Sequence, residues 1–282
     1  MSDECELIVL VDDYSGYGTS FMAQHGLSVL IRMRDSSILF DAGQEATPIV
    51  HNLKLLNISI NEIDAIVLSH CHYDHTGGLL DIVRKINKTV PVIAHPSIFR
   101  RNIVLRPMIR HVGVPFRRED LENAGAELIL IAKPLEIADG VVVTGEVPRD
   151  PRYEGKVVTY TIEDGILKED RMMDDISLCI NLGNEEIAIV TGCSHAGIVN
   201  IVKYSMELLK ARRVKAILGG LHLIDEPTEK VKEISDILRR YAEEVHVGHC
   251  TGFDAYIELS MRFGRKFHMI HSGYRLSLSV RD

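Results

Sequence analysis

The six residues His70-Cys71-His72-Tyr73-Asp74-His75 constrain this chain more than any other feature. They follow the apolar run "AIVLS" and precede "GGLLDIVRKI", which has helical spacing. His70 and His72 are two apart, so on an extended segment both side chains point to one side. Asp74 and His75 come where the chain bends into a helix and address a neighbouring position. Three imidazoles and one carboxylate placed this way divide naturally between two adjacent metal ions. Such donors suit Zn²⁺, Fe or Mn²⁺ better than an all-oxygen Mg²⁺ or Ca²⁺ site.

Four residues cannot complete two coordination shells, so further ligands must arrive from distant strand ends. Three histidines answer that description, each closing an apolar run beside glycine: His195 in "IAIVTGCSHAG", His222 in "VKAILGGLHLI" and His249 in "VHVGHCTG". In open sheets with helical crossovers, such C-terminal strand ends line the crevice where ligands bind. His25, ahead of "GLSVLI", could reach the same place from the N-terminal loop, and His95 ends the strand "VPVIAH".

The rest of the pattern says what carries these turns. Strand-like runs fill the first 43 residues, ending in Asp41-Ala42-Gly43, and a helix is expected in "TPIVHNLKLL". "NLGNEE" joins two apolar runs as a hairpin would. The last third alternates helix and strand, with helices in "GIVNIVKYSMELLK", "TEKVKEISDILRRYA" and "FDAYIELSMRFG". No Gly/Ser linker or charge block divides the chain, so a single domain over 1–282 is expected, with an irregular, arginine-rich insertion or lid around 96–125. Two mixed sheets packed together, with helices outside each, accommodate this order.

Composition excludes several classes. A net charge of −8 disfavours nonspecific adhesion to nucleic acid or anionic membranes. No apolar run approaches the roughly 18–20 residues of a membrane helix, and the acidic start "MSDECELIVL" is unlike a signal peptide, so a cytoplasmic protein is expected. Five cysteines without regular spacing argue against a disulfide framework. Arginine is locally dense between Arg100 and Arg118, and guanidinium matches phosphate oxygens in bidentate geometry. These arginines form either a solvated loop face or a clamp for phosphate; on the second reading the substrate is expected to be a small phosphorylated molecule, with Arg100, Arg101 and Glu146 as candidate contacts.

"LSHCHYDHTGGL", with "HGLSVLIRMRDSSILFDAG" before it, resembles the metallo-β-lactamase superfamily over essentially the whole chain. That resemblance implies an α+β fold, a four-layer αββα sandwich, binding one or two metals. "TGCSHAGIVNIV", "LGGLHL" and "GHCTG" further resemble one subgroup, the dihydropterin-methyl-(ribofuranosyl)aminobenzene phosphate synthases. This implies that an arylamine displaces pyrophosphate from a dihydropterin methyl diphosphate, a step towards methanopterin. The superfamily's hydrolases commonly have a mid-chain histidine and a later metal-bridging aspartate. Here "VVVTGEVPRD" offers Glu146 and "TGCSH" has no aspartate. The implied metal set is His70, His72, Asp74, His75, His195 and His222, with His222 favoured over His249 for the last position. Asp74 and His249 are then the candidates for proton management. Zinc is the expected ion, with manganese or iron as substitutes and magnesium if the synthase chemistry holds. A metallo-hydrolase of a phosphorylated, ester or lactone small molecule is the alternative, and a non-catalytic metal scaffold a third.

Overall fold

Alternate residues of the strand Asp3–Val11 face two different cores. Cys5, Leu7 and Val9 point into one, and Ile8 and Leu10 into the other. The same division recurs in Ser28–Arg32, Ser37–Phe40, Ala65–Val67 and Val90–Ala94, which explains why these runs read as continuously apolar. The computed structural model describes residues 3–155 and 158–281.

Two seven-stranded sheets result. The first runs, in spatial order, Arg275–Val280, Asp3–Val11, Ser28–Arg32, Ser37–Phe40, Ala65–Val67, Val90–Ala94 and Ala126–Leu130. The second runs Phe267–Met269, Ala242–Gly248, Arg213–Gly220, Glu186–Thr191, Leu178–Gly183, Val141–Val143 and Leu135–Ala138. Leu7, Val29, Phe40 and Val67 meet Leu178, Ile180, Val190 and Leu218 between the sheets. Helices Ala46–Leu55 and Leu79–Lys85 cover the outer face of the first sheet through Ile49, Leu53, Leu79 and Ile82. Helices Ile198–Leu208, Thr228–Tyr241 and Phe253–Phe263 cover the second through Ile201, Val202, Ile234, Leu238 and Leu259. The layers are therefore αββα, as the family resemblance implied. None of the described helices is long and apolar enough to cross a membrane.

The "NLGNEE" hairpin is present. Leu178–Gly183 runs antiparallel to Glu186–Thr191, and Asn184 and Glu185 take φ of 53° and 61°. Positive φ at both central residues is what a two-residue hairpin turn requires. The arginine-rich segment is more ordered than its sequence indicates. Its strands Ile103–Val104 and Arg110–His111 join Tyr160–Glu163 and Ile166–Glu169 in a small four-stranded sheet. The periodicity missed these because two-residue strands carry no pattern.

The strands that matter most for the site are parallel. Ser37–Phe40, Ala65–Val67 and Val90–Ala94 run together in the first sheet, as do Glu186–Thr191, Arg213–Gly220 and Ala242–Gly248 in the second. Parallel strands bring their C-terminal ends to one edge. There sit Asp41, the 70–75 run, Cys193, His195, His222 and His249.

Candidate metal centre

Asp41 ends the third strand of the chain and anchors two histidines at once. Its Oδ2 accepts from His75 Nδ1 at 2.6 Å and from Ser69 Oγ at 2.7 Å, and its Oδ1 accepts from Ser69 N–H at 2.7 Å. Ser69 Oγ in turn accepts from His70 Nδ1 at 2.8 Å. These contacts place the ring protons of His70 and His75 on Nδ1 and leave both Nε2 lone pairs bare. His72 turns its Nδ1 to within 3.1 Å of His70 Nε2.

The second sheet supplies the rest. His195 packs against His70 and His72 with ring centroids 4.7 and 5.0 Å apart. One ligand atom each from His70, His72 and His195 falls within a 4.8 Å group. His249 Nε2 approaches His75 Nε2 at 3.1 Å and Asp74 Oδ2 at 3.3 Å. Cys193 Sγ lies 3.2 Å from His75 Nε2 and also groups with His70, so it stands between the two clusters. His222 meets His195 edge to face, with ring centroids 4.4 Å apart, and groups with Cys193. It is thus on the His195 side of the centre, away from the contacts His249 makes with Asp74 and His75.

Close approach explains the glycines between these residues. A Cβ on Gly192 would lie 2.1 Å from Ser69 Oγ, and one on Gly220 would lie 2.6 Å from Cys250 Sγ. The left-handed region is also populated where glycine is absent. Asp41, Ser194, His222 and His249 have φ of 62°, 64°, 47° and 49°. Each costs roughly 1–3 kcal/mol and persists because the packed sheets over-determine it.

The electrostatics separate two kinds of imidazole. Burial, reinforced by neighbouring histidines, holds His70 and His195 well below the usual histidine range, and burial pushes His72 down to about 4. These are neutral rings. Burial also opposes charge on His249, but Cys250, Asp13 and Asp74 outweigh it and hold its pKa well above the ordinary value. Asp74 is held well below the carboxylate range despite burial, chiefly by His75 and His249.

A metal fits this donor set. His72 Nε2, both ring nitrogens of His195 and His222 Nδ1 are buried without hydrogen-bond partners among the described residues. Leaving a buried polar group unsatisfied costs about 1–3 kcal/mol. Such atoms facing one cavity, with His75 Nε2 only 3.1 Å from His249 Nε2, are accounted for by cations between them. Neutral imidazole, thiol and carboxylate are donors for zinc, iron or manganese.

The structure brings together His70, His72, Asp74, His75, His195, His222 and His249, and adds His25. His25 Nε2 lies 3.5 Å from Asp74 Oδ2. It does not bring in the other candidates. The Arg100 guanidinium, expected to face phosphate, instead holds Asp170 at 2.6 Å and Asp174 at 2.7 Å. Asp174 in turn accepts from Cys71 N–H at 2.8 Å, so Arg100 braces the 70–75 loop from behind. Glu146 pairs with His95 Nε2 at 2.9 Å, and neither lines the cavity beside the histidines. Arg101 is exposed and also off that wall. The cavity itself, about 480 Å³, is walled by Tyr73, Asp74, Val112, His195, Ile224 and His249 among others.

Sequence reasoning missed Asp13, whose carboxylate takes His25 Nδ1 at 2.8 Å and His249 Nδ1 at 2.7 Å. Its one signal was the acidic pair closing "LIVLVDD". Cys193, two residues before His195 in "TGCSH", offers in sequence either a thiol role or a small residue for a crowded strand-end turn.

The profile of the metallo-beta-lactamase superfamily matches residues 23–162. A Methanocaldococcus jannaschii protein named 7,8-dihydropterin-6-methyl-4-(beta-D-ribofuranosyl)-aminobenzene-5'-phosphate synthase is 37% identical, with 96% of each chain covered. An uncharacterised protein of the same organism is 35% identical over 90% of this chain and 94% of its own. Among solved structures, Tm1679, described as a metal-dependent hydrolase of the beta-lactamase superfamily, matches with a TM-score of 0.80 at 25% identity. That match covers 98% of this chain and 99% of the other. Zn²⁺-bound PqqB from Methylobacterium extorquens shares the fold, with a TM-score of 0.60 at 12% identity over 96% and 99% of the two chains.

Proposed function

We propose, from the premise that this chain belongs to the metallo-β-lactamase superfamily, that it is a metal-dependent transferase joining an arylamine to a dihydropterin methyl diphosphate with release of pyrophosphate. The observation that carries this reading is the 37% identity to the named synthase, which extends over 96% of both chains. Divalent-metal binding goes with the fold, and the donors described above fit it.

In this reading His70, His72 and His195 hold one ion, and Asp74, His75 and His249 a second, with Cys193 placed to serve either. His249 takes the position first given to His222, because it is the one that reaches Asp74 and His75. The nitrogen and sulfur donors favour zinc, iron or manganese over magnesium, even with synthase chemistry. When bound, the ions supply Lewis acidity to the departing diphosphate. Asp41 and Ser69 fix the tautomers of His70 and His75. Asp74, held ionised, acts as ligand and hydrogen-bond acceptor and does not store a proton. Tyr73, Val112 and Ile224 offer the apolar wall against which a planar ring system can lie.

A metallo-hydrolase is the second reading, favoured by the likeness to Tm1679. One assay separates them: pyrophosphate release from dihydropterin methyl diphosphate, with and without the arylamine ribofuranosyl phosphate. Release that requires the amine is expected. Equal release without it rejects the transferase and supports hydrolysis.

A further inference from the structure

We propose that Arg110 is the residue that grips the phosphate oxyanions of the leaving diphosphate, an assignment that rests on the transferase reading. It follows by elimination among the arginines that crowd this segment. Arg100 is clasped by Asp170 and Asp174. Arg117 is paired with Asp120 and Arg118 with Glu122. Arg101, Arg106 and Arg110 remain, exposed and without a side-chain partner among the described residues. Of these three only Arg110 lies on the wall of the cavity that His72, Asp74, His195 and His249 also line, and among the described residues no other arginine or lysine lines it.

Its backbone is fixed where it needs to be. Arg110 pairs with Val104, and Ile103 pairs with His111 on one side and Tyr160 on the other. Two residues on, Val112 O accepts from Tyr73 N–H at 2.9 Å, and Val112 N–H donates to Asn102 O at 2.8 Å. The root of this guanidinium is therefore tied to the same loop that carries His72 and Asp74. A long side chain on a fixed root can meet a ligand at the mouth with little further ordering of the main chain.

The chemistry asks for a cation there. As the amine nitrogen bonds to the methylene carbon, the bond from that carbon to the diphosphate oxygen breaks and its electron pair leaves on the oxygen. The amine's proton is released to solvent. Negative charge thus grows on the diphosphate in a cavity whose wall already includes Asp13 and Asp74. A planar guanidinium fork matches two phosphate oxygens at once, and an ammonium does so less well.

The test is calorimetric binding of inorganic pyrophosphate to the metal-loaded protein. Arg110→Ala is expected to weaken binding about tenfold or more, in line with loss of a charge-assisted contact. Arg110→Lys is expected to fall between. Arg106→Ala, the same charge change on the same hairpin but off the cavity wall, is expected to stay within about twofold. Unchanged binding in Arg110→Ala, equal losses in the Arg110 and Arg106 variants, or no pyrophosphate binding by the unaltered protein each overturn the assignment. The transferase reading fails separately, through pyrophosphate release that ignores the amine, whatever the Arg110 variants bind.

Discussion

Asp13 Oδ2 lies 2.7 Å from His249 Nδ1 across 236 positions of sequence. Its other oxygen holds His25 Nδ1 at 2.8 Å, so one carboxylate aligns two imidazoles at the cavity mouth. Orienting contacts of this kind set the tautomer of a ligand and raise its basicity. Asp13→Asn keeps the shape but weakens the acceptor. We expect affinity for one metal equivalent to fall about 10–100-fold, with the other little changed. Competitive titration with a chromogenic chelator measures both, and two unchanged equivalents would remove Asp13 from the centre.

The two C-terminal histidines make a sharper test. If His249 is the ligand, His249→Ala should lose one metal equivalent while His222→Ala retains both. Elemental analysis after gel filtration decides it. The reverse pattern restores the original preference for His222. His70→Ala serves as the reference for losing the other ion, and full metal content in that variant would sink the whole assignment.

Arg100 should behave as a brace and not as a substrate contact. Its partners Asp170 and Asp174 are both buried. Replacing it by methionine leaves two buried carboxylates without their cation, and breaking such a pair typically costs about 3–5 kcal/mol. Urea unfolding should show this loss. A variant of normal stability with a raised KM for the diphosphate substrate would return Arg100 to the role its sequence position promised.

His246 offers a separate pH test. Burial and the stacked ring of His268 push its pKa from 6.5 down to about 4. The unfolded chain therefore takes up a proton near pH 6.5 that the folded protein refuses until about pH 4. Stability tied to this group is present above pH 6.5 and drains away as pH falls towards 4. Over that window the unaltered protein should lose up to about 1.4 kcal/mol per pH unit more than His246→Gln. Parallel slopes in chemical unfolding would show that His246 does not titrate this way.

Much of the fold was legible because strands buried on both faces and helices with one apolar face leave unmistakable patterns. The 70–75 run was legible for a local reason: four donors within six residues have few other uses. His195, His222 and His249 stand out in sequence because each ends an apolar run, but sequence alone does not rank them. Whether His222 or His249 reaches Asp74 depends on how strand Arg213–Gly220 sits beside Ala242–Gly248, and on left-handed turns that no composition reveals. The arginines cannot be ranked from sequence for a similar reason. Arg100 and Arg110 look alike in sequence, and only the fold sets one against Asp170 and the other at the cavity mouth.

The division of the centre between two sheets has a kinetic meaning. The 70–75 run belongs to the first sheet, while Cys193, His195 and His249 belong to the second. With the ligands proposed above, neither half of the polypeptide owns a complete coordination shell. Tight capture of an ion must then come after the sandwich has closed, so the ion acts as a latch on the finished molecule and not as a seed for its folding. Added metal should slow unfolding while leaving the refolding rate almost untouched.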